Sequence, residues 1–329
     1  GIQAVVWTDA IQGIIMISGA ILCLAYIMFS MPEGPGQMFE IANEHNKFSL
    51  GGTSLSLTES TIWVVLIYGI FINLQNYGID QNYVQRYMAS KSDKEAKKSA
   101  LMGGLLYIPV SLIFFLIGTA LFSYYTAVPD ALPAEYADAS MSDRIFPFYI
   151  VNNLPPGFTG LLIASIFAAG MSTISTSVNS SSTVILTDYY QRYVKKAITD
   201  KTSMKVLYTS SFVFSILGII IGVAMINVQS VLDAWWKLAS VFSGGMLGLF
   251  LLGAFVKTVN VKGAIIGVIV GLLAILWLSL TPMIFTEEPM SKFASPFHGY
   301  LTIVIGTMLI FFIGFLATIW NKDQKLPSE

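Results

Sequence analysis

One cysteine, Cys23, and two histidines, His45 and His298, are all the thiol and imidazole the chain holds. A lone thiol cannot close an intramolecular disulfide, and a structural zinc site lacks ligands. Charge is scarce as well: Asp, Glu, Lys and Arg make up 11% of the 329 residues, 55% are hydrophobic, and the formal net charge is −1. Soluble domains carry about 25% charged residues, so this composition indicates a polytopic membrane protein. Also missing are a Gly-Lys-Ser/Thr phosphate loop, a His-Glu-x-x-His pair and any nucleophile set beside a base. The chain therefore reads as no enzyme, with no cofactor. There is no initiator Met and no signal-peptide pattern ahead of the first apolar run. From this we expect further helices upstream of Gly1.

What is present is a series of long apolar runs, about 4–30, 59–88, 101–127, 158–187, 206–228, 232–256, 262–285 and 299–320. Their connections alternate in charge. Lys91, Lys94, Lys97 and Lys98 follow the second run; Arg192, Lys195, Lys196, Lys201 and Lys205 the fourth; Lys257 and Lys262 the sixth; Lys322 and Lys325 the eighth. The intervening connections hold Glu33, Glu40 and Glu44, then Asp130, Glu135, Asp138 and Asp143, then Glu287 and Glu288. The positive-inside rule puts both termini of this chain in the cytoplasm. The basic clusters then serve topology, and no nucleic-acid partner is expected. Residues 128–157, which hold Pro129, Pro133, Pro155 and Pro156, read as an external loop with short helices. The last two runs look like ordinary peripheral spans.

Three apolar runs are interrupted by polar groups. In the fourth, Ala168 to Ser180 carries hydroxyl after hydroxyl: Ala169, Ser172, Thr173 and Thr176 share one helical face, and Ser172, Ser175, Thr176 and Asn179 an overlapping one. Such a face offers neutral oxygens suited to a hard cation; close packing of helices is the competing use of the same residues. Asn179-Ser180-Ser181 matches a glycosylation acceptor but lies within the span. In the first run, Asp9 and Gln12 share a face near the cytoplasmic end. A buried Asp in a span costs about 2.5–3.5 kcal/mol and marks an ion path, unless it is shallow enough to meet headgroups. In the second, Asn73, Asn76 and Asp80 share a face beside Gly78, which permits unwinding. A broken helix of this kind lines a substrate cavity in secondary transporters; a packing kink is the alternative. Asp233 and Lys237 form an i, i+4 pair, and Ser243 to Gly248 is a small-residue run suited to close packing.

Trp7-Thr8-Asp9-Ala10-Ile11-Gln12, Asp80-Gln81-Asn82-Tyr83-Val84-Gln85-Arg86-Tyr87, Leu154-Pro155-Pro156-Gly157 and the Ser172–Asn179 run together resemble the sodium/solute symporters, carriers of sugars, sialic acid, iodide, vitamins and monocarboxylates. The resemblance implies an all-α membrane protein with a leucine-transporter-like inverted-repeat helical bundle, here partial with about eight transmembrane helices. Within 1–329 as a single transmembrane domain, 1–30 would be the last helix of the first repeat, 59–257 the second repeat and 262–321 two peripheral helices. It implies one sodium site with Ala169, Ser172 and Thr173, completed by two carbonyls of a first core helix. A second would use Asp9, Ser172, Ser175 and Thr176. Asn73, Asn76, Tyr77, Asp80 and Trp236 fall at solute-binding or gating positions. The sugar carriers' gating Tyr corresponds to Asn76, a Lys of theirs to Leu105 before Pro109, and their Gln-x-x-Gln to Asp233-Ala234-Trp235-Trp236. These departures favour a sialic acid or carboxylate solute over galactose or glucose. Sodium-coupled import across the cell membrane by alternating access is the implied activity. The partners would be sodium, a small-molecule solute and the lipid bilayer. A sodium/sugar symporter and a non-transporting solute-sensing domain are the alternatives.

Overall fold

The structure, a computed structural model, describes residues 2–136, 138, 141–194, 198–226, 231–257, 259–285 and 287–322. It consists of helices α1 (Ile2–Phe29), α2 (Pro35–Glu44), α3 (Ile62–Ile79), α4 (Gln81–Met88), α5 (Asp93–Ala127), α6 (Ser142–Asn153), α7 (Pro156–Val184), α8 (Asp200–Ala224), α9 (Val231–Phe255), α10 (Val261–Ile284) and α11 (Leu301–Lys322). Among the described residues, seven helices are long and apolar enough to cross a membrane, and α9 contributes the shorter apolar stretch Phe242–Phe255. The chain is a multi-pass, all-helical membrane protein.

Helix starts are set by local caps more than by hydropathy. The third apolar run begins near 101, yet α5 starts at Asp93. There the Ser92 hydroxyl accepts from the Glu95 N–H at 3.3 Å, and Asp93 and Glu95 sit in the first turn. Both features satisfy orphan N–H groups and the positive end of the helix dipole. Thr61, Thr199 and Asn260 cap α3, α8 and α10 in the same way.

The chain divides into two compact units. The first, Gly1–Ser49 with Ser90–Ser230, packs α1, α2, α5, α6, α7 and α8. Its buried cluster joins Cys23 and Ile27 of α1, Met38 of α2, Ile117 and Leu121 of α5, and Tyr149 of α6, with Leu154 and Leu162 at the start of α7. The Ser123 hydroxyl of α5 donates to the Met38 carbonyl at 3.0 Å, which ties α2 down inside this cluster. The segment 128–157 contains two 3₁₀ turns and α6, as its prolines and polarity indicate. Beyond Val184, α7 loosens into π-helix over Ile185–Val194.

The second unit, Leu50–Ala89 with Val231–Glu329, packs α3, α4, α9, α10 and α11. Glycines make its seams. Gly244 and Gly248 of α9, in the small-residue run, lie against Ile303, Thr307 and Ile310 of α11. Gly263, Gly267 and Gly271 of α10 meet α11 from the other side. The α10 and α11 helices are therefore packed backbone to backbone. At the head of α11, His298 donates its N–H to the Leu57 carbonyl at 2.9 Å, and its ring stands edge-on to Tyr300, which in turn stacks on Tyr68 of α3.

Partial burial holds the His298 pKa below the ordinary histidine value, and Nδ1 accepts from the Tyr300 N–H at 3.3 Å. Both favour the neutral ring. Because the unfolded chain then binds the proton at higher pH than the folded one, His298 contributes stability above the unfolded value, lost as pH falls through the folded one. Thermal unfolding followed from pH 7.5 to 5.5 should show a falling midpoint that His298→Gln flattens.

Candidate functional site

The hydroxyl run lies on α7 opposite α1, inside the first unit. α7 begins beside the Ile27 and Met31 end of α1 and meets Gly19 at Leu162, so the two helices run antiparallel. A Cβ at Gly19 would stand 2.5 Å from Leu162 Cδ2, so the two helices lie close together here. Ideal antiparallel helix geometry carried seven residues on, two turns and the same face of each helix, pairs the level of Gln12 with that of Ala169. Ten residues on, about 15 Å along the axis, Asp9 is level with Ser172. The Asp9 side chain lies outside the described ones.

On α7, Thr173 Oγ1 donates to the Ala169 carbonyl at 3.0 Å and Thr176 Oγ1 to the Ser172 carbonyl at 2.9 Å. Each pair brings a carbonyl and a hydroxyl oxygen side by side, and the second pair sits about 4.5 Å further along the axis. A hydroxyl that donates its proton keeps lone pairs, and a carbonyl has a second one. Both oxygens of a pair can therefore approach one hard cation at the about 2.3–2.6 Å such ions prefer. Ala169, Ser172 and Thr176 are half-buried, whereas Thr173 and Ser175 are exposed on this chain. The structure thus brings Ala169, Ser172, Thr173, Ser175 and Thr176 together on one helix, with Asp9 at their level on the next.

Gln12 is the residue of this region that the sequence undervalued. Its Oε1 is buried without a hydrogen-bond partner, a state costing about 1–3 kcal/mol. The sequence places it on one face with Asp9, within the Trp-Thr-Asp-Ala-Ile-Gln motif.

The second candidate region, in the other unit, is the α3–α4 junction. The helix breaks at Asp80, two residues later than Gly78, which stays helical. Asp80 is extended at φ −70° and ψ 125°, and its Oδ1 accepts from the Asn82 N–H at 2.8 Å to cap α4. Its carboxylate thus has a structural task that needs no solute. α3 alone is about 27 Å long, close to the hydrocarbon thickness of a bilayer. The last carbonyls of a helix lack intrahelical partners; that of Gln75 takes the Asp80 N–H at 3.2 Å, and Asn76 and Tyr77 lie in the same final turn. Asn73 is exposed, with Nδ2 donating to the Gly69 carbonyl at 2.8 Å. Asn76 and Tyr77 are half-buried, and the Tyr77 ring tilts against Tyr83 of α4 at 4.9 Å. The side chain of Trp236, on α9, lies outside the described ones.

A cavity of about 560 Å³ opens elsewhere, between the C-terminal end of α5 and the segment that follows it, walled by Leu121, Phe122, Tyr125, Tyr136 and Phe146. None of the residues singled out by the sequence lines it.

Known proteins supply the comparison that this geometry needs. The model of the sodium:solute symporter family matches residues 1–271. The chain is 35% identical over 332 residues to the sodium/sialic acid symporter NanT of Aliivibrio fischeri, across 100% of this chain and 62% of that protein. It is 34% identical over 336 residues to the sodium/sialic acid symporter SiaT of Proteus mirabilis, across 100% of this chain and 64% of that one. A solved structure of a Na+-coupled sialic acid symporter, substrate-bound and outward-open, superposes with a TM-score of 0.82 at 32% identity, covering 100% of this chain and 64% of its own. The chain thus spans somewhat under two thirds of the length of these relatives, which are transporters and not enzymes. Motif, fold and family match coincide on α1 and α7, where the oxygen pairs stand, and the chain belongs to the sodium:solute symporter family.

Proposed function

We propose that the protein carrying this chain is a sodium-driven symporter that imports a small polar or anionic organic solute, with sialic acid or another carboxylate favoured. The observation that carries the reading is the pair of stacked carbonyl–hydroxyl couples on α7, opposite α1, in a family whose sialic acid members align along the whole chain. One sodium is held by the Ala169 carbonyl and the Ser172 and Thr173 hydroxyls, together with two carbonyls of a first core helix outside this sequence. A second is held one turn toward the cytoplasm by Asp9, Ser172, Ser175 and Thr176. Asn73, Asn76, Tyr77, Asp80 and Trp236 are the solute-side residues.

Both termini face the cytoplasm, as the lysine-rich connections require. Residues 1–30 are the last helix of a first repeat, 59–257 the second repeat, and 262–321 two added helices. Sodium binding and solute binding are linked: sodium raises solute affinity on one side of the membrane, and its loss to the cytoplasm lowers it by the same factor. Each charge carried inward contributes about 2.3 kcal/mol per 100 mV, so a second ion adds that amount and its concentration gradient.

The test is uptake by the full-length protein in proteoliposomes, using labelled sialic acid, galactose and a short monocarboxylate under inward sodium or inward potassium. Sialic acid is expected to accumulate above its external concentration under sodium alone. Equal, slow entry under both cations would remove the coupling. Accumulation of galactose in place of sialic acid would move the protein to the sugar carriers, and sodium-dependent binding without flux would make it a sensor.

A further inference from the structure

The cavity of about 560 Å³ beside the C-terminal end of α5 takes no part in the sodium or solute readings. Three pieces of chain wall it: α5 contributes Leu121, Phe122 and Tyr125, α6 contributes Phe146, and the connection between them contributes Tyr136 and Asp138. Its volume falls in the range of small-molecule sites, about 300–1,000 Å³. Three of its aromatic rings are fixed by neighbouring rings. Tyr125 is buried and stands edge-on to Tyr124 at 5.2 Å, Tyr136 tilts against Phe148 at 4.9 Å, and His45 meets Phe122 edge-on at 5.3 Å. Walls set before binding cost a ligand little ordering entropy.

An aromatic face attracts cations through its quadrupole, and one of these rings already holds one: the Lys47 ammonium lies 3.8 Å from the Phe122 centroid. Asp138 brings a carboxylate to the wall and is exposed. Around it, residues 128–146 carry Asp130, Glu135, Asp138 and Asp143 against one base, Arg144. That field repels a carboxylated solute and draws in a cation. Aromatic belts at membrane surfaces are the ordinary use of such rings, but a belt presents them outward to lipid, whereas these enclose a volume together with a carboxylate. A hard metal ion takes oxygen ligands and has no use for aromatic walls, so the complement is a cation with an apolar surface.

We propose that this cavity binds a small alkylated ammonium group, its alkyl surface against Phe122, Tyr125, Tyr136 and Phe146 and its charge balanced by Asp138. The site is separate from the α7 oxygens and does not rest on the sodium reading. Because its walls come from α5, α6 and the connection between them, occupancy ties the three together and stabilises the folded protein. A free ammonium solute and the headgroup of a choline lipid present the same chemistry and differ in whether lipid competes.

The experiment uses the full-length protein in a maltoside detergent, reading labelled-choline binding and the unfolding midpoint at constant ionic strength. Choline should raise the midpoint and bind at least about tenfold more tightly than its uncharged isostere, in which a tert-butyl group replaces trimethylammonium. Asp138→Asn and Phe146→Leu should each weaken choline about threefold to tenfold, and the Asp138→Asn difference should shrink at high salt. Tyr136→Phe, which keeps the ring, should leave binding unchanged; should Phe146→Leu not fold, Tyr136→Leu takes its place. Equal affinity for choline and its isostere would overturn the proposal and make the cavity an apolar pocket, and absence of choline binding would refute it outright. Choline that sialic acid displaces, with Asp138→Asn and the ring variants without effect, would lie in the solute route and sink the proposal as well. Nanodiscs decide the source. Choline binding lost in phosphatidylcholine but kept in phosphatidylglycerol identifies a lipid headgroup as the occupant, and binding kept in both identifies a free solute; either result supports the ammonium class.

Discussion

Thr173→Ala is expected to raise the sodium concentration for half-maximal uptake by about tenfold to a hundredfold, leaving the folded protein as stable in potassium as before. The affinity loss follows from the strength of interactions between a charge and a neutral oxygen, about 1.5–3 kcal/mol, at tenfold per about 1.4 kcal/mol. The unchanged stability follows from what the hydroxyl does in the absence of sodium. It donates to the Ala169 carbonyl of its own helix at 3.0 Å and is exposed on this chain. Its removal therefore opens no cavity and strands no buried donor, and alanine is the better helix former. Thr173→Ser, which restores the oxygen, should return half-saturating sodium to within about threefold of the original, since only a methyl group is lost. Uptake measured against sodium concentration for the three proteins, beside unfolding midpoints in potassium, checks both halves. A midpoint that drops in step with the sodium affinity would mean that Thr173 holds α7 together instead of holding an ion.

The hydroxyl face of α7 was legible in the sequence because a helix turns hydroxyl spacing directly into geometry. Ala169, Ser172, Thr173 and Thr176 needed only the 3.6-residue period to share a side, and the structure adds their hydrogen bonds and their register with α1. What a single helix cannot encode is its partner. The level of Asp9 against Ser172 follows from Gly19 seating Leu162, a contact across more than a hundred residues of chain.

The break after α3 shows the opposite balance. Gly78 was the obvious weak point, since glycine tolerates unwinding, yet the helix holds through it and ends at Asp80. The decisive chemistry is the side-chain bond from the Asn82 N–H to Asp80 Oδ1, which starts a new helix more effectively than a missing Cβ ends an old one. Ser92 does the same for α5, whose first two turns are too charged for a hydropathy criterion to include. The seam between α10 and α11 was equally readable, because Gly263, Gly267 and Gly271 fall four apart. What the spacing does not say is which helix lies across the seam, and that appears only where the three glycines of α10 meet Ile310, Gly314 and Thr318 of α11.

Gly267→Leu is expected to prevent the second unit from assembling, with loss of most folded protein from the membrane. A Cβ at Gly267 would lie 2.7 Å from the Ile310 carbonyl oxygen and 2.9 Å from both Gly314 Cα and Gly314 N. All three are backbone atoms of α11, so no rotamer change relieves the clash and the helices must separate. Lipid provides no hydrophobic drive to hold them, so separation forfeits packing along the whole seam, a loss of more than about 3 kcal/mol. Gly271 offers an internal control, because its neighbours are side-chain atoms of Ile310 only. Gly271→Ala should cost about 1–3 kcal/mol. In the double variant with Ile310→Ala, the combined loss should fall short of the sum by at least about 1 kcal/mol, since the alanine vacates the space the new methyl needs. Gly267→Ala with Ile310→Ala should show no such saving, because truncating the Ile310 side chain leaves its carbonyl in place. Folded yield and unfolding midpoints across the two cycles decide the matter. Equal rescue at both positions would mean that side chains, and not the α11 backbone, set the distance between α10 and α11.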